Sequence, residues 1–320
     1  ESLDIQKNLN EMIKNNCKYC VMEVSSHALV LNRIDNIDYE AAVFTNLTQD
    51  HLDFHKTLEN YKNAKEKLFY KTKSINIFNI DDKVGEEFFN KSLNRDIKTY
   101  TYGVEKEADF KAANIKLYDD RTEYDLIIDK QKYKVSTPIL GNFNVYNTLA
   151  AITTCILLGV SCEDVIKRVQ NLKSVSGRLD KVENDKNVNI IVDYAHTPDA
   201  LLNILKSARL FTKNRIILVF GCGGNRDKAK RPIMGKIAQQ NADISIITSD
   251  NPRFEKEMDI IEDILCGIDK TLDNYFVVQD REDSIKKAIE LYEVGDLIII
   301  AGKGHENYQI KGDKDRKSVV

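Results

Sequence analysis

Residues 215–232, RIILVFGCGGNRDKAKRP, decide the fold class. The apolar, largely β-branched run from Arg215 to Phe220 reads as a strand buried on both faces. It breaks at Gly221, Gly223 and Gly224, which free the backbone to approach a ligand. Arg226, Lys228, Lys230 and Arg231 follow, and Pro232 is expected to open a helix that runs to Asn241. A strand, a glycine loop and a helix in that order form the unit of a parallel α/β sheet, and the cations beside a positive helix end predict an anion site. Cys222 has no Cys-His-Asn partner order around it and reads as a buried thiol.

The same rhythm extends outward in both directions. Downstream and immediately upstream, strands are expected at Asn189–Asp193, Ile244–Thr248, Phe276–Val278 and Leu297–Ala301, with helices at Pro198–Ala208, Met258–Cys266 and Asp283–Leu291. Thr197 is placed to cap the first of these helices, and Pro198 to start it. A first series is expected at Tyr19–Val24, Ala41–Asn46 and Ser74–Asn79, with a helix at Asn60–Tyr70 that carries Ala64, Leu68 and Phe69 on one face. Alternation around Tyr124–Ile128, with a turn at Asp119-Asp120, predicts an antiparallel excursion across Asp109–Val135. A strongly apolar helix is expected at Asn144–Leu158. The boundary falls between Leu172 and Gly177, giving two closely apposed α/β domains: residues 1–174 with a mainly parallel sheet, and residues 175–320 with a Rossmann-like sheet.

Composition narrows the possibilities. The 320 residues carry 47 Lys and Arg against 50 Asp and Glu, a net charge of −3, which excludes the broad basic surface of a non-specific nucleic-acid binder. A hydrophobic content of 42% supports packed cores and excludes a disordered polyelectrolyte. No apolar run reaches the roughly 18 residues of a membrane helix. Six scattered cysteines fit a reducing cytoplasm better than a disulfide framework. The chain begins at Glu1 without Met, and its charged end, Asp313–Val320, is expected to stop without a helix or cap; both features set the expectation of a fragment.

Polar clusters stand at the expected strand ends, where open α/β sheets bind ligands. Glu23, Ser25, Ser26 and His27 follow one strand and offer donors for a hard cation and a polar substrate. Thr45, Asn46, Asp50, His51, Asp53 and His55 follow the next. His51 and His55, four apart, allow a zinc pair, but the Glu that a zinc-hydrolase helix places after its first His is absent, and with Glu23 nearby Mg²⁺ suits the cluster better. Lys65 shares a helix stripe with Tyr61 and Leu68, and by residue type alone reads as solvated. Arg178 after Gly177 reads either as a turn-flanking surface residue or as an anion clamp. Asp193, Tyr194 and His196 offer a ring-and-ribose contact surface. Asp250, Arg253 and Glu306, on neighbouring loops, could hold both the ammonium and the carboxylate of an amino acid. Gly302-Lys303 lacks the following Ser or Thr, and the upstream Gly, of a phosphate-binding P-loop.

These clusters include the runs EVSSHAL, FTNLTQDHLDFH, GNFNVYNTLAA, SGRLD, DYAHTPDAL, GCGGNRDKAKRP, TSDNPRFE and AGKGHENYQ, and their order resembles the Mur ligase family, in particular its diaminopimelate-adding branch. The resemblance implies an ATP-dependent peptide ligase of peptidoglycan precursor synthesis. In such an enzyme a carboxylate of UDP-N-acetylmuramoyl-L-alanyl-D-glutamate is phosphorylated to an acyl phosphate, and the amine of meso-2,6-diaminopimelate attacks it. By motif position, Glu23 and His51 resemble Mg²⁺ ligands, and Lys65 resembles the lysine that these enzymes carbamylate so that it can face a second Mg²⁺. Ser25 and Arg33 match positions that bind the UDP-linked substrate, while Leu31 stands where relatives often carry Gln. Asn144, Asn147, Arg178, Asp193, Tyr194 and His196 are implied nucleotide contacts. Arg226, Asp250, Asn251, Pro252, Arg253, Gly302 and Glu306 are implied amino-acid contacts, with the Arg253 guanidinium pairing with the distal carboxylate that lysine lacks.

Three other readings compete. One is an L-lysine-adding homologue, disfavoured by Arg253; another is a folylpolyglutamate synthetase-like enzyme, disfavoured by the DNPR and GKGHE runs. The third is a silent binding module, because the family's Gly-rich ATP loop and UDP-binding domain lie upstream of the EVSSHAL run. The expectation is that the complete protein is a ligase and that these 320 residues alone turn over little.

Overall fold

The computed structural model describes residues 1–118, 120–173 and 175–312, together with the backbone of 314–317. Chain order in the first half is α1 (Ser2–Lys14), α2 (Ser26–Val30), β1 (Tyr39–Phe44), α3 (Leu52–His55), α4 (Leu58–Tyr70), β2 (Thr72–Asn79), α5 (Lys83–Ser92), β3 (Lys98–Gly103), β4 (Phe110–Leu117), β5 (Thr122–Ile128), β6 (Gln131–Thr137), α6 (Asn142–Leu157) and α7 (Cys162–Val169). The six strands form one sheet in sequence order. β1 to β4 run parallel, and β4, β5 and β6 are antiparallel, as the alternation around Tyr124 requires. Val145, Leu149 and Ile152 of α6 pack on one face against Ile77, Tyr102 and Leu126. Phe44, Phe69, Phe78 and Phe88 fill the other face, where α4 and α5 lie.

The second half continues with β7 (Asp180–Lys181), β8 (Ile190–Asp193), α8 (Pro198–Phe211), β9 (Ile216–Phe220), α9 (Lys230–Asn241), β10 (Ile244–Ile247), α10 (Glu257–Leu265), β11 (Tyr275–Val277), α11 (Arg281–Leu291), β12 (Leu297–Ala301), β13 (Tyr308–Lys311) and β14 (Lys314–Lys317). The sheet order is β11-β10-β9-β12-β8-β7, parallel except for β7, and β13 pairs with β14 as a separate hairpin. β8, β9 and β12 are buried along their whole lengths because cores cover both faces of the sheet. The strand order reverses between β9 and β12, so their carboxyl ends open a crevice. Thr197 caps α8 through the Ala200 N–H, and Pro198 occupies the first turn. Among the described residues, no helix is long and apolar enough to cross a membrane.

Two expectations are corrected. Tyr19–Val24 is not a strand. β1 is the edge of its sheet, residues 17–25 join no ladder, and Val21 is 99% exposed; β propensity without a pairing neighbour makes no strand. Pro232 does not open its helix, since α9 already begins at Lys230 and Pro232 stands in its first turn, where a missing N–H costs nothing. The turn at Asp119, the boundary at Ser174 and the terminal residues Asp313 and Ser318–Val320 lie outside the described residues.

Candidate active site

The loop after β1 meets the loop after β9 and carries Asp50 to the centre of a charged cluster. Asp50 Oδ2 lies 3.6 Å from His51 Nε2 and 3.8 Å from His196 Nε2, and Asp50 Oδ1 lies 3.8 Å from Lys230 Nζ. Burial opposes ionisation of Asp50, but Lys230, His51 and the His51 backbone N–H outweigh it and hold the carboxyl below its ordinary range. Gln49 Nε2 donates to Asp227 Oδ2 at 3.2 Å, and Arg226 Nη1 lies 4.0 Å from Asp53 Oδ2. These contacts join the first sheet's loop to the second sheet's loops at the positions quoted from the sequence.

Lys65 lies on α4 with its Nζ 5.2 Å from the centre of the Tyr61 ring. Burial draws its pKa down, against the attraction of Glu23 and Asp50, the two carboxylates that act on it. Lys65, which residue type alone reads as solvated, is therefore partly buried beside Tyr61. His51 has φ 56°, in the left-handed region, and turns the chain into α3. His55 is excluded as a zinc partner: it is buried, its Nε2 lies 2.8 Å from Ser26 Oγ, and its ring stacks on Tyr61 at 25°. Among the described residues, no three His, Cys, Asp or Glu side chains could hold a metal ion by themselves. Asp50 and His51 stand side by side and Glu23 acts with Asp50 on Lys65, so a hard cation here would draw most of its shell from water or phosphate oxygens.

The remaining predicted residues fall into distinct settings. Ser25 is exposed and accepts from the Ala28 N–H, and Arg33 Nε pairs with Glu1 at 2.5 Å. Asn144 donates to Leu140 O at 2.7 Å and accepts from Asn147 Nδ2 at 2.9 Å. Asp193 is buried, and its carboxylate accepts from the Leu179 and Ala195 N–H groups, so it braces the loop that carries Tyr194 and His196. Burial outweighs those bonds and raises its pKa. The Arg178 guanidinium lies 4.5 Å from the Tyr194 ring centre, and Tyr194 Oη donates to Glu306 Oε1 at 3.2 Å.

The cations after the glycine loop divide into two kinds. Arg226 and Lys228 are exposed, whereas Lys230 is 4% and Arg231 0% exposed. Arg231 is bound to Glu255, Asp263 and the Gly223 carbonyl, so it holds the loop rather than a ligand. Cys222 is buried, and burial pushes its thiol up to about 12, which removes it as a nucleophile.

The Asp250–Arg253 loop packs tightly on Gly224, whose N–H donates to Asn251 O at 2.8 Å; a Cβ on Gly224 would meet Pro252 O at 1.9 Å. Arg253 has φ 52°, its Nη1 donates to Gly224 O at 2.9 Å, and its backbone N–H donates to Ile310 O at 3.0 Å. Burial, then Arg226, holds the Arg253 pKa below its ordinary value. Gly302 has φ 108°, and a Cβ there would come within 2.9 Å of Asp250 Oδ2. Asp250, Asn251, Gly302 and Glu306 thus lie together. Sequence reasoning did not assign Asp50, Lys303 or Arg281 to the site. The DHLD run carried the only signal for Asp50, and the failed P-loop match drew attention away from Lys303.

Residues 1–155 match the family described as Mur ligase middle domain, and residues 177–304 match Mur ligase, glutamate ligase domain. The chain is 52% identical to the UDP-N-acetylmuramoyl-L-alanyl-D-glutamate--2,6-diaminopimelate ligase of Clostridioides difficile (strain 630), covering 98% of this chain and 64% of that protein. It is 44% identical to the ligase of the same name from Clostridium perfringens (strain 13 / Type A), covering 100% of this chain and 67% of that protein. A solved structure of a protein with this name aligns with a TM-score of 0.64 at 35% identity, over 99% of this chain and 66% of that one. The chain therefore spans about two thirds of the length of these relatives, and on its two matched domains and these identities it belongs to the Mur ligase family.

Proposed function

We propose that the full-length gene product containing this chain joins meso-2,6-diaminopimelate to UDP-N-acetylmuramoyl-L-alanyl-D-glutamate at the expense of ATP, in the cytoplasm. The observation that carries this reading is the convergence of Asp250, Asn251, Arg253 and Glu306 beside a buried cation-and-carboxylate cluster fed by both sheets. Residues 1–174 serve as the nucleotide and metal domain, and residues 175–320 as the amino-acid domain.

The chemistry follows from charge. Phosphoryl transfer to a carboxylate brings two anions together, so cations must neutralise them, and Lys230 stands ready on the wall opposite Asp50. Mg²⁺, when bound near Glu23 and His51, supplies further neutralisation and a template for the phosphates. A neutral Lys65 amine adds CO₂, forms a carbamate and releases a proton, which turns a repelling cation into an anionic partner for a second Mg²⁺. Ser25 and Arg33 face the UDP-linked substrate. Asn144, Asn147, Arg178, Asp193, Tyr194 and His196 line the nucleotide side.

Arg226, Asp250, Asn251, Pro252, Arg253, Gly302 and Glu306 take the amino acid. The Arg253 guanidinium pairs with the distal carboxylate of diaminopimelate, and Asp250 and Glu306 take up its ammonium groups. The test is Arg253→Asn in the full-length gene product. The KM for diaminopimelate should rise by on the order of 10²-fold while the KM for ATP stays within a factor of two. Unchanged diaminopimelate kinetics would overturn the assignment.

A further inference from the structure

Lys303 has a side chain with no exposure, and its ammonium is surrounded by four acceptors. Nζ donates to Asn251 Oδ1 at 2.5 Å and to Tyr308 O at 2.9 Å, and lies 3.1 Å from Asp250 Oδ1 and 3.5 Å from Glu306 Oε2. Asn251 closes a ring by donating from Nδ2 to Glu306 Oε2 at 3.2 Å. Asn251 Oδ1 also accepts from the Ile310 N–H at 2.9 Å, so both ends of its amide are engaged. Three of the side chains that face the amino acid are therefore held by one buried point charge.

A second cation lies beneath the first group. Arg281 is 4% exposed, its Nη2 donates to Ala301 O at 3.0 Å just before Gly302, and its Nε and Nη1 have no hydrogen-bond partner. Its charge is felt by Asp250 and Glu306. With Arg253 and Arg226, the pocket holds four cations against the two carboxylates Asp250 and Glu306. That excess of positive charge suits an amino acid bearing an extra carboxylate, and taking one up offsets part of the cost of gathering the cations.

We propose that Lys303 is the positioning residue of the amino-acid pocket, fixing Asp250, Asn251 and Glu306 from below without touching the substrate. This inference rests on the reading of that pocket given above. Replacing Lys303 by Met removes the ammonium that lies against both Asp250 and Glu306 and takes one of the two donors from Asn251 Oδ1. Replacing it by Arg keeps the charge, but a planar fork cannot reach four acceptors gathered around a point.

The experiment measures steady-state kinetics of the full-length gene product as wild type, Lys303→Met and Lys303→Arg, offering diaminopimelate and L-lysine separately and following KM for the wild type's preferred amino acid and for ATP. The expected result is a rise of about 10- to 100-fold in the amino-acid KM in both variants, with the ATP KM within twofold. An amino-acid KM within twofold of wild type, or equal losses in kcat and both KM values, would overturn the proposal. If Lys303→Met does not fold, Lys303→Arg decides alone. Wild-type preference for L-lysine would sink the diaminopimelate reading, yet the shift in the preferred amino acid's KM would still decide the role of Lys303.

Discussion

Asp50 Oδ1 and Lys230 Nζ lie 3.8 Å apart although they belong to different sheets, one after β1 and the other opening α9. Both are shielded from solvent, with side-chain exposures of 18% and 5%. Asp50→Asn leaves Lys230 without its counter-charge, so kcat of the full-length gene product should fall by on the order of 10²-fold. Lys230→Met should act similarly. The double variant should lose less than the two single losses multiplied, and full multiplicativity in a double-mutant cycle would show that the pair is not coupled.

Lys65 yields a spectroscopic prediction. Only the unprotonated amine adds CO₂, and burial has already drawn the Lys65 pKa down. In ¹³C-bicarbonate, NMR of the protein should show a carbamate resonance that grows as pH rises from 6 to 8. It should be absent from Lys65→Arg, and a signal that persists there would belong to another lysine.

Gly224→Ala introduces a Cβ that would sit 1.9 Å from Pro252 O and 2.7 Å from the Pro252 carbonyl carbon, with backbone on the side that must yield. A cost of about 2 kcal/mol in unfolding free energy is expected. Because the displaced backbone carries Asn251 and Arg253, the amino-acid KM should rise as well. Urea unfolding and kinetics check the two effects separately.

Glu255 gives an acid limb to stability. Arg231 is the main cause of a carboxyl pKa of about 2, against an ordinary value of 4.5. A depressed carboxylate contributes its stability above the unfolded value and loses it as pH falls toward the folded one. Glu255→Gln should therefore cost about 3 kcal/mol at pH 7 by leaving the buried Arg231 underpaired. That difference from wild type should shrink between pH 5 and pH 3, and urea titrations at three pH values would read it.

Much of this architecture was legible because β8, β9 and β12 are continuous apolar runs that end in glycine or acidic loops, so pattern and topology agree. Tyr19–Val24 misled because an apolar run reports a preference, whereas a strand exists only through its neighbours. α1, α5 and α7 escaped notice although Ile5 and Leu9, Val84 and Phe88, and Val165 and Val169 recur at helical spacing; each helix is rich in polar residues. Within the site, residues next to glycines and prolines stood out, but the roles of Asp50, Lys303 and Arg281 could not. Their importance comes from burial and from partners distant in sequence, such as Asn251 for Lys303, which no local pattern encodes.

The left-handed backbone at Arg253 bears on how such a pocket diversifies. At φ 52° most side chains are strained, but asparagine and aspartate adopt this conformation readily. Three main-chain bonds, Gly224 N–H to Asn251 O, Arg253 N–H to Ile310 O and Gly312 N–H to Arg253 O, hold the loop's shape, and the guanidinium adds side-chain bonds to Gly224 O and Asn251 O. Most of the scaffold would therefore outlast the loss of the proposed selector. A lineage could exchange a charge-reading residue for a short amide in a single step and alter its diet of amino acids while the loop's main-chain frame stays in place.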